Sequence, residues 1–157
     1  MIDTNIEYPD YAFRGLTDKN HINIEFNRIL GEAFCFDGKH QNEDGYDELS
    51  INWDDDENSL DNLKIQKKAN VDTLKYGNGI VRIPTSKLKE MKNRYKGYFA
   101  YERKPVENND YHGNLLLNFD GMNKQMRRLI SNELALNVDM VHTYNENKME
   151  WDSQKLI

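Results

Sequence analysis

Four residues have side chains suited to chemistry and fall where strands should begin or end: Arg14, Glu48, Ser50 and His112. Arg14 closes a short aromatic run (Tyr11, Phe13) just before Gly15. A guanidinium fork beside open backbone suits a phosphate or a carboxylate, and it equally suits an ion pair with a nearby acid. Glu48 and Ser50 alternate with Leu49 and Ile51 in the stretch DELSINW, residues 47–53. Such alternation marks a half-buried strand, with both polar groups on one face. His112 opens the apolar stretch HGNLLLNF, and a histidine at a strand mouth is suited to general acid or base work near neutral pH. Working together, Arg14 would hold a phosphate, His112 would move a proton and Glu48 would orient it, with Ser50 on the same face. The same four also suit a polar network that fixes strand register without turnover.

Other chemistry is poorly served. The acids Asp54 to Glu57 follow the central strand and precede a helical pattern; they suit the positive end of that helix's dipole better than a Mg²⁺ or Ca²⁺ site. A twelve-residue count from Asp37 places Lys39, Gln41 and Asn42 where an EF-hand needs ligands and glycine, and a count from Asp54 closes on Ile65. His21, His40, His112 and His142 lack zinc spacing, so no metal and no cofactor is expected. Gly77-Asn78-Gly79 lacks the lysine and further glycine of a phosphate loop, and no G-x-S-x-G elbow occurs. Cys35, the single cysteine, lies between Phe34 and Phe36 and reads as a core residue, with His40 the only nearby base.

The elements that must position these groups follow from periodicity and punctuation. Strands are expected at Tyr11 to Arg14, His21 to Phe26, residues 47–53, Gly79 to Ile83, Tyr98 to Lys104, His112 to Phe119 and Met140 to Tyr144. Helices are expected from Ser59 to about Asn70, from Lys87 to about Arg94, and from Met122 to Leu136. Ser59 caps the first, Thr85 or Ser86 the second, and Asn137 closes the third. Leu129, Ile130 and Leu134 form the inner stripe of the last. Trp151 sits in a polar tail and needs something to dock on.

The 157 residues, 38% hydrophobic and 11% aromatic, allow one domain with a real core. No apolar run spans a membrane and no signal-peptide pattern opens the chain. With a single cysteine, a reducing cytoplasm is the simplest setting. The net charge of −6 is unevenly spread. Residues 1–60 carry 15 acids and 4 bases, residues 61–104 carry 4 acids and 12 bases, and residues 105–157 carry 8 acids and 5 bases. The basic middle, including Lys64, Lys67, Lys68, Lys87 and Arg94, either binds phosphate or an acidic partner or packs against the acidic first third.

FRGL (13–16), DELSINW (47–53), PVENNDYHGNLLL (105–117) and RRLISNELA (127–135) together resemble a group of small uncharacterised bacterial proteins. That resemblance implies a component of a mobile or host-defence gene cluster, with a neighbouring-gene protein as partner. Phe13-Arg14-Gly15 followed by Ser50 and a glutamate is also similar to the Arg, Ser, Glu order of ADP-ribosyltransferases, although Glu48 precedes Ser50.

The expectation is therefore a single α+β domain over residues 1–157, with 1–10 and 145–157 as mobile ends. A mostly antiparallel sheet of five or six strands would carry two or three helices on one face. Its function would be a polar site for a nucleotide or nucleic-acid phosphate in a cytoplasmic conflict or defence protein, with nucleotide-transfer or ribonuclease-like activity. The alternative is a non-enzymatic adaptor or immunity protein that binds a partner protein.

Overall fold

The structure, a computed structural model, describes residues 7–23 and 28–156. Its strands are β1 (Tyr11–Gly15), β2 (Ile22–Asn23), β3 (Arg28–Ile29), β4 (Tyr46–Trp53), β5 (Ile80–Pro84), β6 (Phe99–Arg103), β7 (His112–Asn118), β8 (Met140–Asn145) and β9 (Glu150–Lys155). Its α-helices are α1 (Asn58–Lys64), α2 (Thr85–Arg94) and α3 (Lys124–Leu136). Seven strands form one sheet in the order β6-β7-β4-β1-β5-β8-β9, and β2 pairs with β3 apart from it. Every pairing is antiparallel. The α+β architecture expected from the sequence is present. The sheet's seventh strand is β9, in the tail segment. The second part of the expected 21–26 strand lies outside the described residues. Among the described residues no helix is long and apolar enough to cross a membrane.

Alternation along β4 divides the sheet into two faces. Leu49, Ile51 and Trp53 enter the main core with Ala12, Val81, Ile83, Leu115 and Leu117. Leu88 and Met91 of α2 and Ile130 and Leu134 of α3 cover this face. The other face is thinner. There Phe13, Ile80 and Leu63 of α1 form a small cluster, joined by Leu60, Tyr76 and Trp151. Two helices thus lie on one face and α1 on the opposite one. Trp151 docks on this domain, with its ring 5.5 Å from that of Tyr144.

Several local expectations change. Ser59 does not cap α1; it is buried, and its Oγ donates to Trp53 O at 2.6 Å, so its hydroxyl serves the strand end instead. α1 stops at Lys64 and leaves Ile65 exposed. Neither Thr85 nor Ser86 caps α2: Pro84 holds the cap position, and Thr85 Oγ1 donates to Pro9 O. Asn123 caps α3 through Met126 N–H, and Asn137 closes it. Leu129 is exposed; Ile130, Ser131, Leu134 and Ala135 form the inner stripe. Cys35 is exposed as well. The backbone there is extended (φ −82°, ψ 115°), so burying Phe34 and Phe36 on one side turns the thiol to the other.

Trp53 is fully buried, and its Nε1 donates to Glu102 O at 3.1 Å. The indole reaches that carbonyl across Gly113. A Cβ added at Gly113 would lie 2.3 Å from Trp53 Nε1 and 2.4 Å from Glu102 O. The glycine after His112 is therefore required by close approach in the core. His142 is also buried, with Nδ1 2.6 Å from Ser153 Oγ. Burial, reinforced by the positive charges of Lys64 and Arg82, pushes its pKa down to about 4.

Two outcomes follow. Gly113→Ala should cost about 2–3 kcal/mol in urea unfolding, because one colliding atom is main chain; an unchanged midpoint would contradict the close approach. For His142, the folded chain refuses a proton that the unfolded chain accepts between its ordinary value of 6.5 and about 4. Its contribution to stability is complete above that range and is lost as the pH falls through it. The unfolding midpoint of the wild type should drop on acidification from pH 7 to pH 5, and His142→Gln should flatten that drop.

Candidate functional site

β1 and β4 pair only at Ala12–Trp53 and Phe13–Asn52. Beyond Phe13 the strands part, and the side chain of Arg14 occupies the gap. Its Nη1 donates to Ser50 O at 2.8 Å and its Nε to Ala33 O at 2.8 Å. The guanidinium lies 6.0 Å from the centre of the Phe34 ring. Arg14 is thus a structural donor to two backbone carbonyls and, among the described residues, pairs with no acid. Nη2 makes no hydrogen bond among the described residues. Burial pushes the pKa of Arg14 down to about 10, partly offset by Tyr76 and Cys35, and the group stays cationic at neutral pH.

On the exposed side of β4, Ser50 Oγ stands 3.2 Å from His112 Nε2. His112 faces Asn52 in the β4–β7 register, and Ser50 faces Asn114, so the imidazole reaches diagonally across one strand spacing to the serine. His112 Nδ1 lies 2.9 Å from Lys104 O. A backbone carbonyl only accepts, so this contact places the proton on Nδ1 and leaves Nε2 as an acceptor for the serine hydroxyl. The sequence reading missed Lys104, because its contribution is a main-chain carbonyl that any residue could supply.

Glu48 shares the face but does not touch the imidazole. Its Oε2 accepts from Lys104 Nζ at 3.0 Å and from Asn114 Nδ2 at 2.7 Å. It anchors the side chain of the residue whose carbonyl orients His112, which makes it a positioning group at one remove. Asn52, the cross-strand partner of His112, is buried at 1% exposure. It donates to Ser59 O and Asn62 Oδ1 and accepts from Asn109 Nδ2.

Two adjoining cavities open on this pair. The larger, about 550 Å³, includes Arg14, Ser50 and His112 in its wall, with Asn62, Gln66, Lys75 and Tyr76 beyond them. The smaller, about 460 Å³, shares Arg14, Ser50 and His112 and adds Cys35, Glu48 and Lys104. All four sequence candidates therefore meet along one cleft. The charges divide across it. Lys75 is in the first wall, opposed by Glu107, whereas Asp37, Asp47 and Glu48 are in the second.

Asp37, His40 and Asp47 bring ligand-type atoms within 4.8 Å of one another at the acidic end. Both Asp47 oxygens already accept main-chain N–H groups, from Gly38 at 3.1 Å and His40 at 3.0 Å. The trio thereby clasps the 37–47 loop. Two of the acids after β4 are committed to separate partners. Asp55 forms a two-pronged pair with Arg103 at 2.6 and 2.7 Å, and Asp56 Oδ1 accepts from Tyr111 at 2.9 Å.

The five basic residues expected as a binding set do not form one surface. Lys64, near the ring of Trp151, and Lys67 and Lys68 belong to α1 and the loop after it. Lys87 and Arg94 lie on α2, across the sheet. Lys67 pairs with Asp72, Lys87 with Glu90 and Arg94 with Glu133. Lys68 is exposed in the loop.

Comparison with protein-family models, curated proteins and solved structures found no match, so geometry carries the functional argument.

The tautomer is directly measurable. Long-range ¹H–¹⁵N spectra should show neutral His112 protonated at Nδ1, and Ser50→Ala should leave that form in place because the Lys104 carbonyl selects it. A dominant Nε2–H form would contradict this arrangement. Arg14→Ala should destabilise the fold by about 1–3 kcal/mol, since it strips two carbonyls of their donor.

Proposed function

We propose that the cleft binds the phosphate of a nucleotide or nucleic acid, and that His112 moves a proton during transfer or cleavage at that phosphate. The observation that carries this reading is the Ser50 hydroxyl 3.2 Å from an imidazole nitrogen left bare by the Lys104 carbonyl. A histidine held in this way acts as a general base toward a hydroxyl, either that of Ser50 or a substrate hydroxyl in its place. The base supplies only half of the chemistry. Charge that develops on phosphoryl oxygens needs fixed cationic donors, and Arg14, held at two of its nitrogens, offers Nη2 beside Ser50. Lys75 adds a second cation to the same wall, while the carboxylates in the neighbouring wall disfavour an anion there. The phosphate is thereby assigned to the larger cavity.

The test is turnover of a labelled RNA oligonucleotide and of nucleoside triphosphates by the full chain, with products separated by chromatography. His112→Ala should lower the rate about 100-fold or more with little change in melting temperature, because its side chain is at the surface end of β7. Loss of activity that merely tracks unfolding, or an unaltered rate, would sink the proposal. Oligonucleotide binding should also weaken as salt is raised.

A further inference from the structure

The amides beside the Ser50–His112 pair form a chain whose polarity is set by two main-chain groups. Tyr111 N–H donates to Asn109 Oδ1 at 3.0 Å, so Asn109 presents Nδ2 to Asn52 Oδ1 at 2.8 Å. Asn52 Nδ2 then donates to Ser59 O and to Asn62 Oδ1, both at 3.1 Å. Gln66 Nε2 donates to the same Asn62 oxygen at 3.1 Å. The Tyr111 N–H and the Ser59 carbonyl fix Asn109 and Asn52, and Asn62 and Gln66 must each present the complementary group to their neighbour, so no amide is free to flip. Two groups remain outside the chain: Asn62 Nδ2, a donor, and Gln66 Oε1, an acceptor. Neither has a partner among the described residues, where no buried side-chain nitrogen or oxygen lacks a hydrogen bond. Both groups are therefore open to solvent, and both residues line the larger cavity.

The same wall holds Tyr76, whose ring rests against Gly15 so closely that an added Cβ would fall 2.3 Å from it. An aromatic ring, a fixed donor, a fixed acceptor and a nearby cation share a cavity of about 550 Å³, which is the size of small-molecule sites. We propose that this cavity is a base pocket. Building on the phosphate reading, the ligand is a nucleoside phosphate whose base packs on Tyr76 and meets Asn62 Nδ2 and Gln66 Oε1 with an adjacent acceptor and donor. Adenine, guanine, cytosine and uracil each carry such an adjacent pair on one edge, so the pocket separates nucleotides from other phosphate esters without selecting one base.

Calorimetric titration of the full chain with AMP, adenosine and ribose 5-phosphate tests this. AMP should bind at least tenfold more tightly than ribose 5-phosphate, since base–aromatic contact alone reaches that size. Asn62→Asp keeps the oxygen that Asn52 and Gln66 need and replaces the open donor by an acceptor. It should remove most of the AMP advantage and weaken adenosine, with ribose 5-phosphate controlling for the added charge. Gln66→Ala should act in the same direction. Equal binding of AMP and ribose 5-phosphate would overturn the base pocket and leave the phosphate reading standing. Adenosine binding that is sensitive to Asn62→Asp, without any ribose 5-phosphate binding, would keep the pocket and remove the phosphate reading. No binding of any of the three would overturn both.

Discussion

The guanidinium of Arg14 substitutes for backbone pairing where two central strands diverge. Past Phe13 and Asn52 the β1–β4 ladder stops, and a carbonyl left in such a gap would go unsatisfied. Arg14 donates to it and, with a second nitrogen, to Ala33 beyond the strand end. The gap becomes a cleft instead of a closed seam, and the exposed side of β4 stays open at Ser50. Without that donor the strands would have to zip further, closing the space, or leave polar backbone unpaired. The opening of the cleft and the satisfaction of the Ser50 carbonyl thus depend on one side chain.

Around the cleft, hydrogen bonds run in directions imposed by the main chain. Lys104 O fixes the imidazole, while Tyr111 N–H and Ser59 O fix the amides. Orientation set in this way needs no reorganisation when a ligand arrives, which is the form of preorganisation that favours binding and catalysis alike. The charged groups are arranged less symmetrically. Carboxylates gather toward the 37–47 loop and Lys75 lies at the other end, so the potential varies along the cleft.

Much of the frame was legible because it rests on periodicity. The alternation of residues 47–53, the apolar run after His112 and the spacing of Ile130 and Leu134 each report burial directly. The capping residues of α1 and α2 were not legible. Ser59 and Thr85 have side chains able to cap, but carbonyls outside their helices, of Trp53 and Pro9, claim their hydroxyls. Leu129 misled because a helix with an apolar residue at both i and i+1 does not reveal which one faces inward. The meeting of Arg14, Glu48, Ser50 and His112 could be conjectured from residue type and strand position. The intermediary Lys104 and the amide chain could not, since their roles depend on main-chain atoms and on cross-strand register, neither of which leaves a mark in residue identity.

The glycine that follows His112 has a bearing on how the chain reaches this arrangement. A strand slipped by one residue exchanges its two faces. If β7 slipped against β4 and β6, a residue with a Cβ would be driven into the space beneath the Trp53 indole, 2.3 Å from its nitrogen. Adjacent leucines at 115, 116 and 117 are all buried, so hydrophobicity alone discriminates weakly between correct and slipped pairings of this strand. Steric exclusion at Gly113 supplies the missing discrimination. The imidazole one position earlier, opposite Asn52, owes its diagonal reach to Ser50 to that register.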